Sequence, residues 1–262
     1  MSNIPSLEDL MKAGVHFGHQ RSKWYPKMER FIFTEKNNIH VINLEETQKQ
    51  LAKAYEFIAQ TVATGGTILF VGTKRQAQEI VKDAALSCGM PYVVYRWLGG
   101  TLTNAASVLG LVKKYRKLKE DKATGALAKF TKKEQLDIDR EIERLETIVG
   151  GIEKLDKIPD VMFIVDMKKE KTAVQECLRK KVPFIAICDT NVNPDLTDYP
   201  IPGNDDATSS IKILVTSIAA AINDARQQND KAGEGKTVGE IKENAEVPQL
   251  PKNKTFKPAT KE

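Results

Sequence analysis

Apolar positions along the chain recur with two periods, and the points where the period changes mark its elements. Leu7, Leu10 and Met11 stand at helical spacing behind Ser6, whose hydroxyl can cap the turn, with Glu8 and Asp9 in the first turn. This spacing predicts a short N-terminal helix. The runs Phe31-Ile32-Phe33 and Ile39-His40-Val41-Ile42 flank Glu35-Lys36-Asn37-Asn38, the pattern of a β-hairpin that turns on asparagines. Asn43 can then cap a helix that carries Leu44, Leu51, Tyr55, Ile58 and Val62 on one stripe and stops at Gly65-Gly66.

Short, largely apolar runs follow at 67–71, 92–95, 161–165 and 184–188, with helical patterns at 76–88 and 170–180 between them. Continuous apolar strands separated by helices predict a parallel sheet covered on both faces. The alternation breaks once. Helical stripes of Val108, Leu111, Val112, Tyr115 and Leu118, and of Ile138, Ile142, Leu145, Ile148 and Val149, are joined through Gly125 and closed by Gly150-Gly151. Narrow apolar seams on two charged helices predict an inserted antiparallel hairpin of coiled-coil type. After a loop over 189–202, Asp205 and Asp206 open a last helix with Ile211, Leu214, Val215, Ile218 and Ile222 on its inner face. Beyond Arg226 almost nothing is left to bury, which predicts disorder. The expected class is α/β, with an α/β domain over 1–103 plus 156–226, a helical insert over 104–155, and a tail over 227–262.

Composition narrows the function. At 262 residues with 41% hydrophobic positions, the chain can bury a sizeable core, and no apolar run reaches the ~20 residues of a bilayer helix. No basic-then-apolar block opens the sequence, so a cytoplasmic protein with no membrane partner is expected. Cys88, Cys177 and Cys188 are odd in number and lack a CxxC pair, which predicts buried thiols. The net charge of +5 permits a polyanionic partner. Its distribution says more. Arg21, Lys23, Lys27, Arg30 and Lys36 surround Trp24, Tyr25, Phe31 and Phe33, and cations interleaved with rings suit phosphates and unstacked bases.

Candidate chemistry falls at the carboxyl ends of the expected strands, where open α/β sheets bind ligands. Val71-Gly72-Thr73-Lys74, Arg75, Asp166, Asp189-Thr190-Asn191 and 203–206 lie there, yet no GxGxxG follows any strand. Gly235-Lys236-Thr237 lacks the earlier glycine of a phosphate loop, since Asp230 stands in its place. All three histidines precede the sheet, so no catalytic triad is visible. His16 and His19, three apart, could share a helical face and offer two metal ligands, with carboxylates such as Asp189 or Asp205 completing the set. In the loop 96–104, two readings stand side by side: Trp97 plugs the base of the insert, or Arg96 reaches a phosphate. Lys113, Lys114, Arg116 and Lys117 make a basic end to the first insert helix. A nucleotide enzyme using Lys74 and Asp166, and a protein scaffold using only the hairpin, remain as competing classes.

The stretches Ala13-Gly14-Val15-His16-Phe17-Gly18-His19, Trp24-Tyr25-Pro26-Lys27-Met28, the loop 96–104 and Ile201-Pro202-Gly203-Asn204-Asp205-Asp206-Ala207 occur in order, and together they closely resemble the bacterial ribosomal protein S-two family. The likeness runs from about residue 5 to 226. It implies a flavodoxin-like parallel sheet with a protruding coiled-coil insert. It further implies a structural, non-enzymatic role in the ribosome: binding small-subunit ribosomal RNA at the head–body junction and helping to dock the messenger-binding protein S-one, beside neighbouring small-subunit proteins. No small-molecule substrate or required cofactor is implied. The RNA-facing residues implied are Arg21, Lys23, Trp24, Lys27, Arg30, Lys36, Lys74, Arg75, Arg96, Trp97, Lys113, Lys114, Arg116 and Lys117. A divalent metal, zinc or magnesium, is implied near His16 with Asp189 and Asp205.

Overall fold

The structure is a computed structural model that describes residues 4–234. Helix α1 (Leu7–Lys12) starts where Ser6 accepts a hydrogen bond from the backbone N–H of Asp9. Strands β1 (Phe17–Gln20), β2 (Ile32–Lys36) and β3 (Ile39–Ile42) form a small antiparallel sheet in the order β1-β3-β2. Asn37 and Asn38 take φ of 53° and 60° in the turn, which identifies the two-residue hairpin that right-handed strand twist favours. Helix α2 (Leu44–Ala63) is capped by the Asn43 side chain and buries Leu51, Ala54, Ile58 and Val62.

Five further strands make one parallel sheet: β4 (Ile68–Val71), β5 (Tyr92–Val93), β6 (Val161–Val165), β7 (Phe184–Cys188) and β8 (Tyr199–Pro202). Their spatial order is β5-β4-β6-β7-β8. Counted along the chain this is the 2-1-3-4-5 order of doubly wound folds, with its switch point between β4 and β6. Alternate residues serve opposite faces. Phe70, Phe163, Val165, Ile185 and Ile201 meet α2, α3 (Gln78–Ser87) and α7 (Thr208–Glu234). Leu69, Val71, Met162, Ile164 and Ala186 meet the other layer, which contains α4 (Ala105–Ala123), α5 (Lys132–Val149) and α6 (Lys171–Lys180). Both faces being covered is why the strands read as unbroken apolar runs.

Helices α4 and α5 lie between β5 and β6 in sequence. They pack through Val108, Val112 and Tyr115 against Ile142, Leu145 and Val149. Thr131 and Glu134 form a reciprocal capping box at the start of α5. Lys114–Glu141 at 2.9 Å and Lys122–Asp139 at 2.9 Å bridge the pair.

Four expectations change. The segment expected as a loop over 189–202 ends in strand β8, whose Pro200 and Pro202 lack N–H groups and are tolerated because the strand lies at the sheet edge. His16 and His19 do not share a helix, for His19 lies in β1. Asp205 and Asp206 precede the last helix, which begins at Thr208. That helix also continues past Arg226 to Glu234, so residues 227–234 of the expected tail are helical; the remainder of that tail lies outside the described residues. Continuing a formed helix costs little once its nucleus exists, and Asn229 ties this end to the carbonyl of Val62 at 3.2 Å.

Candidate functional site

The small sheet and the turns between β1 and β2 form an arm that docks on the carboxyl end of β7. The backbone N–H of His19 donates to Thr190 Oγ1 at 2.9 Å and to Asp189 Oδ1 at 3.2 Å, and the N–H of Tyr25 donates to the Thr190 carbonyl at 2.7 Å. The approach is close enough to require glycine. A Cβ on Gly18 would stand 2.6 Å from Thr190 Cγ2 and 3.0 Å from the His40 carbonyl.

Beneath the arm, four strand-end segments converge. Lys74 Nζ, just beyond β4, lies 3.2 Å from Asp166, 2.9 Å from Asp205 and 2.6 Å from Asp206. Burial opposes the lysine's charge, but hydrogen bonds to Asp206 and Asp205 hold its pKa above the ordinary value. His19 Nδ1 lies 2.9 Å from Asp189 Oδ2, and its Nε2 lies 3.5 Å from Asp206 Oδ2 and 3.0 Å from Asn191 Nδ2. The Asp189 contact raises the imidazole pKa. Burial, with Asp166 and Asp189 nearby, raises that of Asp205.

Ligand atoms of His19, Asp189, Asp205 and Asp206 fall within 4.8 Å of one another, and buried Asp205 Oδ2 has no hydrogen-bond partner. This donor set fits a small cation. The histidine differs from the one expected: His16 is not in the group, and burial lowers its pKa. His16 lies in the turn before β1, whereas His19 lies within that strand and faces Asp189.

Beyond β5 the loop 96–104 is organised by Glu176 of α6. Its Oε1 accepts from Trp97 Nε1 at 3.1 Å and the Gly100 N–H at 2.8 Å; its Oε2 accepts from the N–H groups of Leu102 and Thr103 at 2.9 and 3.0 Å and from Thr103 Oγ1 at 3.1 Å. Burial pushes the carboxyl upward, but these donors prevail and its pKa falls below the ordinary range. Nothing in the loop's sequence announces this partner. The available signal was a glutamate on the stripe that α6 buries, beside Ala173 and Cys177.

Two relatives match most of the chain. The small ribosomal subunit protein uS2 of Mycolicibacterium vanbaalenii is 46% identical over 240 residues, covering 92% of this chain and 88% of that protein. That of Thermobifida fusca is 48% identical over 223 residues, covering 85% of this chain and 76% of that protein. The sequence model of ribosomal protein S2 matches residues 10–225. The chain belongs to the ribosomal protein S2 family. It is therefore a structural protein of the small ribosomal subunit, cytoplasmic in the ribosome, and not an enzyme. Among the described residues no helix is long and apolar enough to cross a membrane.

Within this S2 chain, the sequence-based RNA candidates separate into three groups. Lys23, Lys36, Arg75, Arg96, Lys113 and Lys117 are exposed and form no ion pair among the described residues. Arg21 meets Glu35 at 3.4 Å, Lys27 and Arg30 both meet Asp195 at 2.9 Å, Lys114 meets Glu141, and Arg116 meets Asp156 at 2.7 Å; Trp24 is half-buried against His40. Lys74 and Trp97 face inward, the first consumed by aspartates and the second 8% exposed with its N–H on Glu176. Strand-end position alone could not reveal this, since it does not say which polar groups point back into the fold.

Proposed function

We propose that this chain binds small-subunit ribosomal RNA with the carboxyl edge of its sheet, at the head–body junction of the subunit. One observation carries the reading: Arg75, Arg96 and the arm bearing Lys23 and Lys36 follow the ends of β4, β5 and β7, and the cations they expose lack internal partners. Such side chains release counterions when they meet phosphates, giving affinity that falls with salt. A sheet buried on both faces offers no stacking platform, so contact is made by the arm, the loops and the α4–α5 insert. That insert acts as a coiled-coil hairpin projecting from the α/β domain, with Lys113 and Lys117 toward RNA. Docking of S-one follows from the family resemblance.

His19, Asp189, Asp205 and Asp206 would hold a divalent ion. Zinc suits the imidazole better than magnesium, which prefers oxygen ligands. Bound there, the ion supplies charge neutralisation and a link between arm and sheet.

The test is sedimentation of a gentle lysate at low and high monovalent salt, with wild type and the variant Lys23→Glu/Lys36→Glu/Arg96→Glu. Wild type should travel with the small subunit and be stripped at high salt, and the variant should stay near the top at both. Equal incorporation of wild type and variant would defeat the assignment.

A further inference from the structure

The turn from β6 into α6 reads Asp166-Met167-Lys168-Lys169-Glu170-Lys171, three lysines against two acids, which looks nearly balanced. The fold separates the signs. Asp166 is 8% and Glu170 3% exposed, whereas Lys168, Lys169 and Lys171 are all exposed. Asp166 gives Oδ2 to Lys74 at 3.2 Å and Oδ1 to the Lys169 N–H at 2.9 Å. Glu170 accepts from the N–H and hydroxyl of Thr73. Both acids are thus spent inside, holding a turn in which Asp166 takes φ of 67°, a conformation rare outside glycine.

The lysines form no ion pair among the described residues. Lys169 Nζ reaches the Thr73 carbonyl at 3.1 Å, which ties this turn to the segment after β4 that carries Arg75. Helix α6 begins at Lys171, so these cations gather at the positive end of its dipole, where they are disfavoured within the molecule. Lys169 lies near the Glu170 charge, but none of the three lysines forms an ion pair among the described residues. Exposed cations on a turn held by two buried carboxylates, joined by a helix start, complement a chain of phosphates.

We infer that Lys168, Lys169 and Lys171, with Arg75, form a further contact surface for the RNA backbone. It extends the basic carboxyl edge across the switch point. The inference rests on the RNA-binding reading above and adds residues that the sequence-based candidates omit. Contacts of this kind fix position and carry no base specificity.

The test uses the full chain, fluorescently labelled, titrated onto small ribosomal subunits depleted of this protein over a range of monovalent salt. Four chains are compared: wild type, Lys168→Gln/Lys169→Gln/Lys171→Gln, the arm-and-loop variant Lys23→Glu/Lys36→Glu/Arg96→Glu, and Arg179→Gln/Lys180→Gln/Lys181→Gln. The last removes the same charge from the opposite end of α6. The first triple should lose roughly tenfold or more in affinity at low salt, and its plot of log affinity against log salt should be shallower by about 1 for each lysine that meets a phosphate. The Arg179 triple should match wild type. If the Lys168 triple binds like wild type while the arm-and-loop variant fails, the inference falls and the RNA-binding reading stands. If the Lys168 and Arg179 triples lose equally, the effect is bulk charge and the inference also falls. If no variant differs from wild type, both readings fall.

Discussion

At the scale of single residues, buried carboxylates organise this molecule. Glu176 accepts five hydrogen bonds from one loop and so substitutes for a layer of secondary structure there. Glu170 does the same for Thr73, at the cost of a pKa raised by burial. A Glu176→Gln change keeps the size but turns one acceptor into a donor, which must then face N–H groups that also donate. The expected outcome is a loss of about 1–3 kcal/mol in urea unfolding. Amide exchange should rise at Gly100, Leu102 and Thr103 while the strands stay protected. Protection unchanged at those three amides would show that the loop is held by something other than this carboxylate.

Among the elements, legibility tracked period length. Strands β6 and β7 stand where continuous apolar runs predict them, and α5 and α6 start within a residue of the expected positions. Strand β1 was not visible, because Phe17-Gly18-His19-Gln20 has no alternating apolar set and exists through pairing with β3. Strand β8 was hidden by its prolines. Spacing offered His16 and His19 together and the family resemblance singled out His16, whereas the group of ligand atoms that the fold assembles contains His19, because it lies in β1 rather than on a helix shared with His16.

One junction between elements also depends on a contact no periodicity reports. Gly151, just after α5, packs so closely on β5 that a Cβ would clash with the Tyr92 carbonyl and stand 2.6 Å from its ring. Because backbone blocks it, Gly151→Ala is expected to cost about 1–3 kcal/mol. The measurement is the thermal midpoint, with Gly110→Ala on the open side of α4 as control, where an added Cβ meets nothing within 4 Å. That control should hold or gain stability, since alanine favours helix. Equal midpoints for Gly151→Ala and wild type would show that the insert and β5 can separate without loss.

For the molecule as a whole, the strand order creates a crevice at the β4–β6 switch point, the place where doubly wound folds receive nucleotides. Here the chain fills it with its own charges. Lys74, the group best placed to grip a phosphate, is already surrounded by Asp166, Asp205 and Asp206, so an incoming phosphate would meet carboxylates and have to strip a lysine from three partners. Exposed cations without ion pairs among the described residues instead stand on Arg75, Arg96 and the arm, where the proposed ligand is a polymer of phosphates rather than one nucleotide. Calorimetric titration of the full chain with ATP, GTP and FMN should therefore yield no saturable heat at millimolar ligand. The variant Asp205→Asn/Asp206→Asn, which releases Lys74 from two of its carboxylates, should bind nucleotide better than wild type if the aspartates are what closes the site. Stoichiometric binding by the wild-type chain would show that the crevice is open after all and that the lysine–aspartate cluster is a ligand site in its own right.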